Sequence, residues 1–176
     1  MKFIHISDLH IGKRVNERSL IDEQTHILNQ ICDITDAQRP DAVLIAGDVY
    51  DKAVPSGEAV LLFDDFLTRI SSLCGHIFII SGNHDSAERM AFGARLMHRS
   101  GIHLSPLYNG STVPVTLTDE YGAIDFYMLP YIRPASVRHF LPDEEKGDIR
   151  SYDDAVRKAV EMMEVDQTRR NVLITH

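Results

Sequence analysis

FIHISDLHIG, residues 3–12, decides how the rest of the chain is read. Phe3, Ile4 and Ile6, with Met1 ahead of them, are what a buried strand is made of. The run nevertheless ends in Asp8 and His10, a carboxylate and an imidazole two positions apart for which a strand core has no use. The same form returns twice. DAVLIAGDVYD, residues 41–51, is an apolar run closed by GDVYD, and HIFIISGNHD, residues 76–85, is one closed by SGNHD.

Between the strand-like runs (2–7, 41–46 and 76–80) lie residues 20–38 and 58–72. There apolar residues recur at helical spacing: Ile27, Ile31 and Ile34 in the first, Leu62, Phe66 and Ile70 in the second. The rhythm is βαβαβ, an α/β class with parallel, mostly buried strands. In an open α/β sheet ligands bind in the crevice outside the carboxyl ends of the strands, so the three polar clusters are expected to meet there.

Farther along, the spacing of Met90, Ala94 and Met97 predicts a helix over 86–99, with Ser86 as its cap. Residues 112–117 and 123–129 flank the turn signal 119–122 and predict a β-hairpin. A helix over about 152–164 and a buried strand over 171–175 complete the reading, with His176 one residue past that strand. No internal repeat, low-complexity tract or linker divides the chain, so 1–176 reads as one domain.

Composition agrees with a globular core: 44% of the 176 residues are hydrophobic and 25% charged. No apolar run is long enough to span a bilayer, and nothing of secretory type opens the chain, which predicts a cytoplasmic protein without a membrane partner. Cys32 and Cys74 lack ligand-like spacing and read as buried, reduced thiols. The net charge of −8 argues against a whole-surface grip on nucleic acid, while leaving room for a local basic patch or for metal cations.

Divalent metals that serve phosphate chemistry favour carboxylate, imidazole and amide oxygen ligands, and the strand ends offer this set. Asp8 and His10 stand at i and i+2, so both can lean to one side and share an ion. Asp48 follows Gly47 and Asn83 follows Gly82, each glycine allowing close backbone approach. Asp48 can bridge two ions, Asn83 offers a hard oxygen, and His84, pointing elsewhere than Asn83, is free to face substrate. His176 is placed as a further ligand. Taken singly, Asp8 reads as a turn or capping residue, His10 as a surface histidine and GNHD as a plain turn. Successive strands that all end in ligand-type residues are not what turn statistics produce, and jointly they read as a metal site.

DLHIG, GDVYD and GNHD, in this order and each after a hydrophobic strand, resemble the first three motifs of the calcineurin-like metallophosphoesterase superfamily. Within it, FIHISDLHIGKR, AGDVYDKAVPS, SGNHDS and LPYIRP are similar to the SbcD-type exonuclease subunits of double-strand-break repair complexes. The resemblance implies a two-sheet β-sandwich flanked by helices in place of a plain parallel sheet. It also implies two divalent ions, usually manganese in this family. Asp8 and His10 would hold the first, Asp48 would bridge, and Asn83 and His176 would hold the second. His84 would contact the scissile phosphate and protonate the leaving oxygen, and Asp51 would steady His84. The family continues to a Gly-His-x-His motif and a DNA-facing capping domain. Neither is in these residues, so the resemblance implies the N-terminal part of a nuclease domain.

The function so implied is two-metal hydrolysis of DNA, as 3′ to 5′ exonuclease and endonuclease, with an ATP-driven coiled-coil (SbcC-type) partner subunit and room for a homodimer. Its rivals are a phosphatase or cyclic-nucleotide phosphodiesterase on the same scaffold, and a non-catalytic protein that binds DNA or a partner. Lys13 and Arg14, just after the first motif, and Arg89 and Arg133 are candidates for touching a phosphate backbone, although no dense basic stripe accompanies them. His5, His26, His98, His103 and His139 lack partners at ligand spacing and read as surface or core histidines.

Overall fold

The computed structural model describes residues 1–176. β1 (Phe3–Ile6) leads through a short antiparallel ribbon, β2 (Arg14–Val15) and β3 (Arg18–Ser19), into helix α1 (Ile21–Gln38). Then come β4 (Ala42–Ala46), α2 (Gly57–Leu73) and β5 (His76–Ile80), the expected βαβαβ segment. β1, β4 and β5 pair in parallel with Phe3 opposite Ala42 and Ala42 opposite His76. A three-residue strand missing from the sequence reading, β6 (Ile102–Leu104), extends the sheet to the order β1-β4-β5-β6.

The helix expected over 86–99 is instead two single turns, α3 (Ala87–Met90) and α4 (Ala94–Met97), followed by a 3₁₀ turn at His98–Ser100. Gly93 breaks it by adopting φ +77°, outside helical space. Ser86 does cap, its hydroxyl accepting from the Arg89 N–H.

The expected hairpin is β7 (Val115–Asp119) and β8 (Gly122–Met128), antiparallel, with Val115 opposite Phe126. After α5 (Pro134–Arg138) and α6 (Tyr152–Glu161), β9 (Arg170–Ile174) pairs in parallel with β8 and completes a second sheet, β7-β8-β9. Ser151 and Asp154 close a capping box at the start of α6.

The layers are helix, sheet, sheet, helix, the helix-flanked two-sheet sandwich. Val43, Ile45, Ile77 and Ile79 face α1 and α2 with Leu28, Phe63, Phe66 and Ile70. Their neighbours Ala42, Leu44, Phe78 and Ile80 face the second sheet and meet Ile124, Phe126, Met128 and Ile174. The outer face of that sheet, with Tyr127 and Leu129, is covered by α5 and α6. Strands with apolar cover on both faces read as unbroken apolar runs, which is why β4 and β5 were plain in the sequence. β1 is only half covered, contrary to the expectation of a buried strand, because it is the sheet's edge; Phe3 keeps 41% of its surface. Cys32 and Cys74 are buried and unpaired, and no helix is long and apolar enough to cross a membrane.

Candidate metal centre

The carboxyl ends of β1, β4, β5 and β9 converge on one edge of the sandwich. Beyond β1 the chain keeps to the side of the β4 loop: Asp8 N–H donates to Gly47 O (3.1 Å), His10 N–H to Asp48 O (2.9 Å) and Ile11 N–H to Val49 O (2.9 Å). Three of the residues so placed have left-handed backbone: Asp8 at φ 57°, His10 at 44° and Asp48 at 50°. A non-glycine residue held there costs about 1–3 kcal/mol, and such strain collects at functional sites.

Asp48 is the hub. It is buried, and its Oδ1 accepts the His84 N–H at 2.8 Å. Its Oδ2 lies 3.7 Å from His10 Nε2 and 3.5 Å from His176 Nε2. Asp8 Oδ1 is likewise 3.7 Å from His10 Nε2. These separations are too long for hydrogen bonds. Two ligand groups result, His10–Asp48–His84 and Asp8–Asp48–His176, with the ligand atoms of each within 4.8 Å of one another and Asp48 common to both. His84 thus stands among the ligand atoms, beside His10, their rings edge to face at 4.9 Å. Asp8 is grouped with His176 as well as being near His10.

The donor set fits divalent cations on three counts. His176 Nδ1 lies 2.8 Å from Ala46 O, a carbonyl that only accepts, so Nδ1 carries the hydrogen and Nε2 is left as a lone pair. That lone pair faces Asn83 Oδ1 at 3.3 Å, another acceptor, and a cation is what two facing acceptors require. Finally, His10 Nδ1 is buried with no hydrogen-bond partner, its nearest carboxylate oxygen being Asp51 Oδ1 at 3.6 Å. Asp8, His10, Asp48, Asn83, His84 and His176 are the residues whose donor atoms stand together and are able to hold metal, and ions bound there would supply charge neutralisation of a phosphoester and a water nucleophile active near neutrality.

His84 is fixed by the same logic. Its Nδ1 donates to Asp51 O at 2.9 Å, so Nε2 of the neutral ring is a lone pair, and this nitrogen can hand a proton to a leaving oxygen only when the ring is doubly protonated. Asp51 steadies His84 through its main chain; its carboxylate is turned to His10 and, at 4.0 Å, to Lys13 Nζ. The Arg14 guanidinium closes the ribbon on Glu17 O, and Arg89 is exposed on α3 beside an apolar cavity.

Asp85, given no role in the sequence reading, organises the centre. Its Oδ1 accepts the Tyr50 N–H (2.9 Å), and its Oδ2 accepts those of Val49 (3.1 Å) and Gly82 (2.9 Å), tying the β5 loop to the β4 loop that carries Asp48. Tyr50, half-buried and close to Asp85 and Asp64, has its phenol pushed up to about 12, mainly by that burial, and stays neutral. Asp85→Asn replaces one accepting oxygen with a donor, and we expect it to lower kcat/KM for an activated phosphodiester by about 10–100-fold, the scale on which groups that orient metal ligands act. Retention of full activity would show that the β4 and β5 loops are held without it.

The calcineurin-like phosphoesterase family model (Metallophos) matches residues 1–176 of the chain.

Proposed function

The chain belongs to the calcineurin-like phosphoesterase family and is thereby a metal-dependent phosphoester hydrolase, and on that premise we propose that its substrate is DNA. In this reading it acts as a 3′ to 5′ exonuclease and endonuclease, with two manganese ions, in the nuclease subunit of a double-strand-break repair complex. DLHIGKR, GDVYD, SGNHDS and LPYIRP support the reading by their resemblance to SbcD-type subunits.

One structural observation carries it. Two clefts adjoin the metal centre, one through Asp51 and one through His176. A polar cleft of about 270 Å³ shares Asp51 with the centre and is lined by Arg14, Lys52 and Ser56. An aromatic one of about 370 Å³ shares His176 and is lined by Tyr131 and Tyr152, whose rings lie 6.0 Å apart. Arg14 and Lys52 suit backbone phosphates, although Asp51 and Glu58 share their cleft, and the aromatic pair suits bases. At the centre, His84 would serve the leaving oxygen, and Asp8, His10, Asp48, Asn83 and His176 would position the phosphate through the ions they hold.

The partners belong to the same proposal: an ATP-driven coiled-coil subunit and, as a further option, a second copy of the chain. The test is cleavage of end-labelled linear duplex DNA with manganese, with EDTA and by His84→Ala. We expect manganese-dependent cutting that EDTA stops and His84→Ala abolishes. A protein that binds manganese and hydrolyses p-nitrophenyl phosphate while leaving DNA whole would be a phosphatase on this scaffold.

A further inference from the structure

Three histidines outside the metal centre stand together at the other edge of the parallel sheet. His76 opens β5, His103 sits on β6, and His98 lies in the 3₁₀ turn before it. His103 is 5% exposed and stacks on Phe78 at 4.7 Å, and Phe78 stacks in turn on Phe126 at 4.6 Å. Its Nε2 meets His76 Nδ1 at 3.4 Å, and its Nδ1 meets His98 Nδ1 at 2.9 Å.

Counting hydrogens defines what this chain of rings tolerates. A neutral imidazole has one N–H, and each of the two contacts needs one hydrogen. Three neutral rings satisfy both. So do three rings with one added proton: a doubly protonated His98 donates to His103, whose Nε2–H donates to His76. With His76 and His98 both doubly protonated, His103 still keeps at least one N–H, and one contact becomes hydrogen against hydrogen.

We propose that these imidazoles form a pH-operated latch, closed with no added proton or one, and opened at its His98 end when His76 and His98 are both protonated. The break falls there because the other contact joins two paired strands, with Ile77 N–H on Gly101 O (2.9 Å) and Ser105 N–H on Ile79 O (2.8 Å). His98, by contrast, is exposed on a turn bounded by Gly93 and Gly101, both at positive φ. The titratable groups that bear on His103 are His98 and His76. Burial, and those two neighbours, push His103 down to about 4, so the central ring stays neutral in mildly acid solution. Met97, in the segment released, walls an apolar cavity of about 340 Å³ together with Met90, Phe92, Leu104, α2 and Tyr50, so opening loosens that wall.

The test is NMR of the full metal-free chain from pH 8 to 5. We expect His103 not to titrate, His76 and His98 to titrate in two separated steps, and amide exchange of residues 94–101, corrected for its intrinsic pH dependence, to rise more than about tenfold below the second step, the equivalent of one pK unit of coupling. Amides of β4 and β5 should stay protected. His103→Phe, which keeps the stack on Phe78, should merge the two steps and remove the local rise; should it fail to fold, His98→Gln should remove the rise and leave His76 with one step. A common midpoint for His76 and His98 in the unaltered chain, or exchange that rises over all strands together, would overturn the latch.

Discussion

Asp48→Asn should reduce hydrolysis of an activated phosphodiester by on the order of 10³-fold, the scale of losing a preorganised electrostatic element of the transition state. Asp48 is the one residue common to both ligand groups, and its Oδ2 is the atom that faces His10 and His176. Asparagine has the same shape and can keep an oxygen at Oδ1 for the His84 N–H, so the loop that carries His84 is expected to hold its place. What changes is the charge and the second oxygen. The loss should therefore appear as weakened manganese binding by calorimetry, with an unchanged thermal midpoint in EDTA. Wild-type activity in Asp48→Asn would mean that the centre does not work through Asp48 and would remove the two-site reading.

Gly82→Ala should be as damaging to activity while leaving every ligand in place chemically. A Cβ at Gly82 would fall on Asp48 Oδ1 and on the Asp48 main-chain nitrogen, neither of which can yield without moving the hub of the centre. Overpacking of this kind costs about 1–3 kcal/mol, so a lowered thermal midpoint should accompany the loss of hydrolysis. Gly57→Ala is the control: it lies in the first turn of α2, nothing stands within 4 Å of its Cβ, and it should be neutral in both assays. If Gly82→Ala behaved like Gly57→Ala, the close approach of the β4 and β5 loops would not be what positions Asp48.

These two substitutions mark different depths of legibility. That Asp8, His10, Asp48, Asn83, His84 and His176 would stand at one place was readable, because each follows an apolar run and parallel strands put their carboxyl ends on one edge. Gly47 was readable as a place of close approach, but its neighbour was not: the ring within 2.7 Å of its would-be Cβ belongs to His176. Asp51 supports His84 by its main chain and not by its carboxylate, a choice that depends on how the loop after β4 turns. Asp85 gave no signal, since its partners are main-chain N–H groups, which every residue type carries. The helix over 86–99 failed for a local reason, a glycine at positive φ inside a pattern of helical period. β6 failed because three residues are too few to show a period.

The chain's order of residues determined by itself the βαβαβ segment, the hairpin, the flanking helices and the chemical character of the centre, because burial pattern and ligand chemistry are properties of short stretches. The tertiary structure alone decided which atoms face one another: Ala46 O and His176 Nδ1 across 130 positions, Asp85 and the Val49 N–H across 36, and the imidazoles of His76, His98 and His103. The physical reason is that a hydrogen bond or a ligand sphere is set by distances of about 3 Å, and the packing of two sheets and their loops sets those distances, whereas a period along one strand does not.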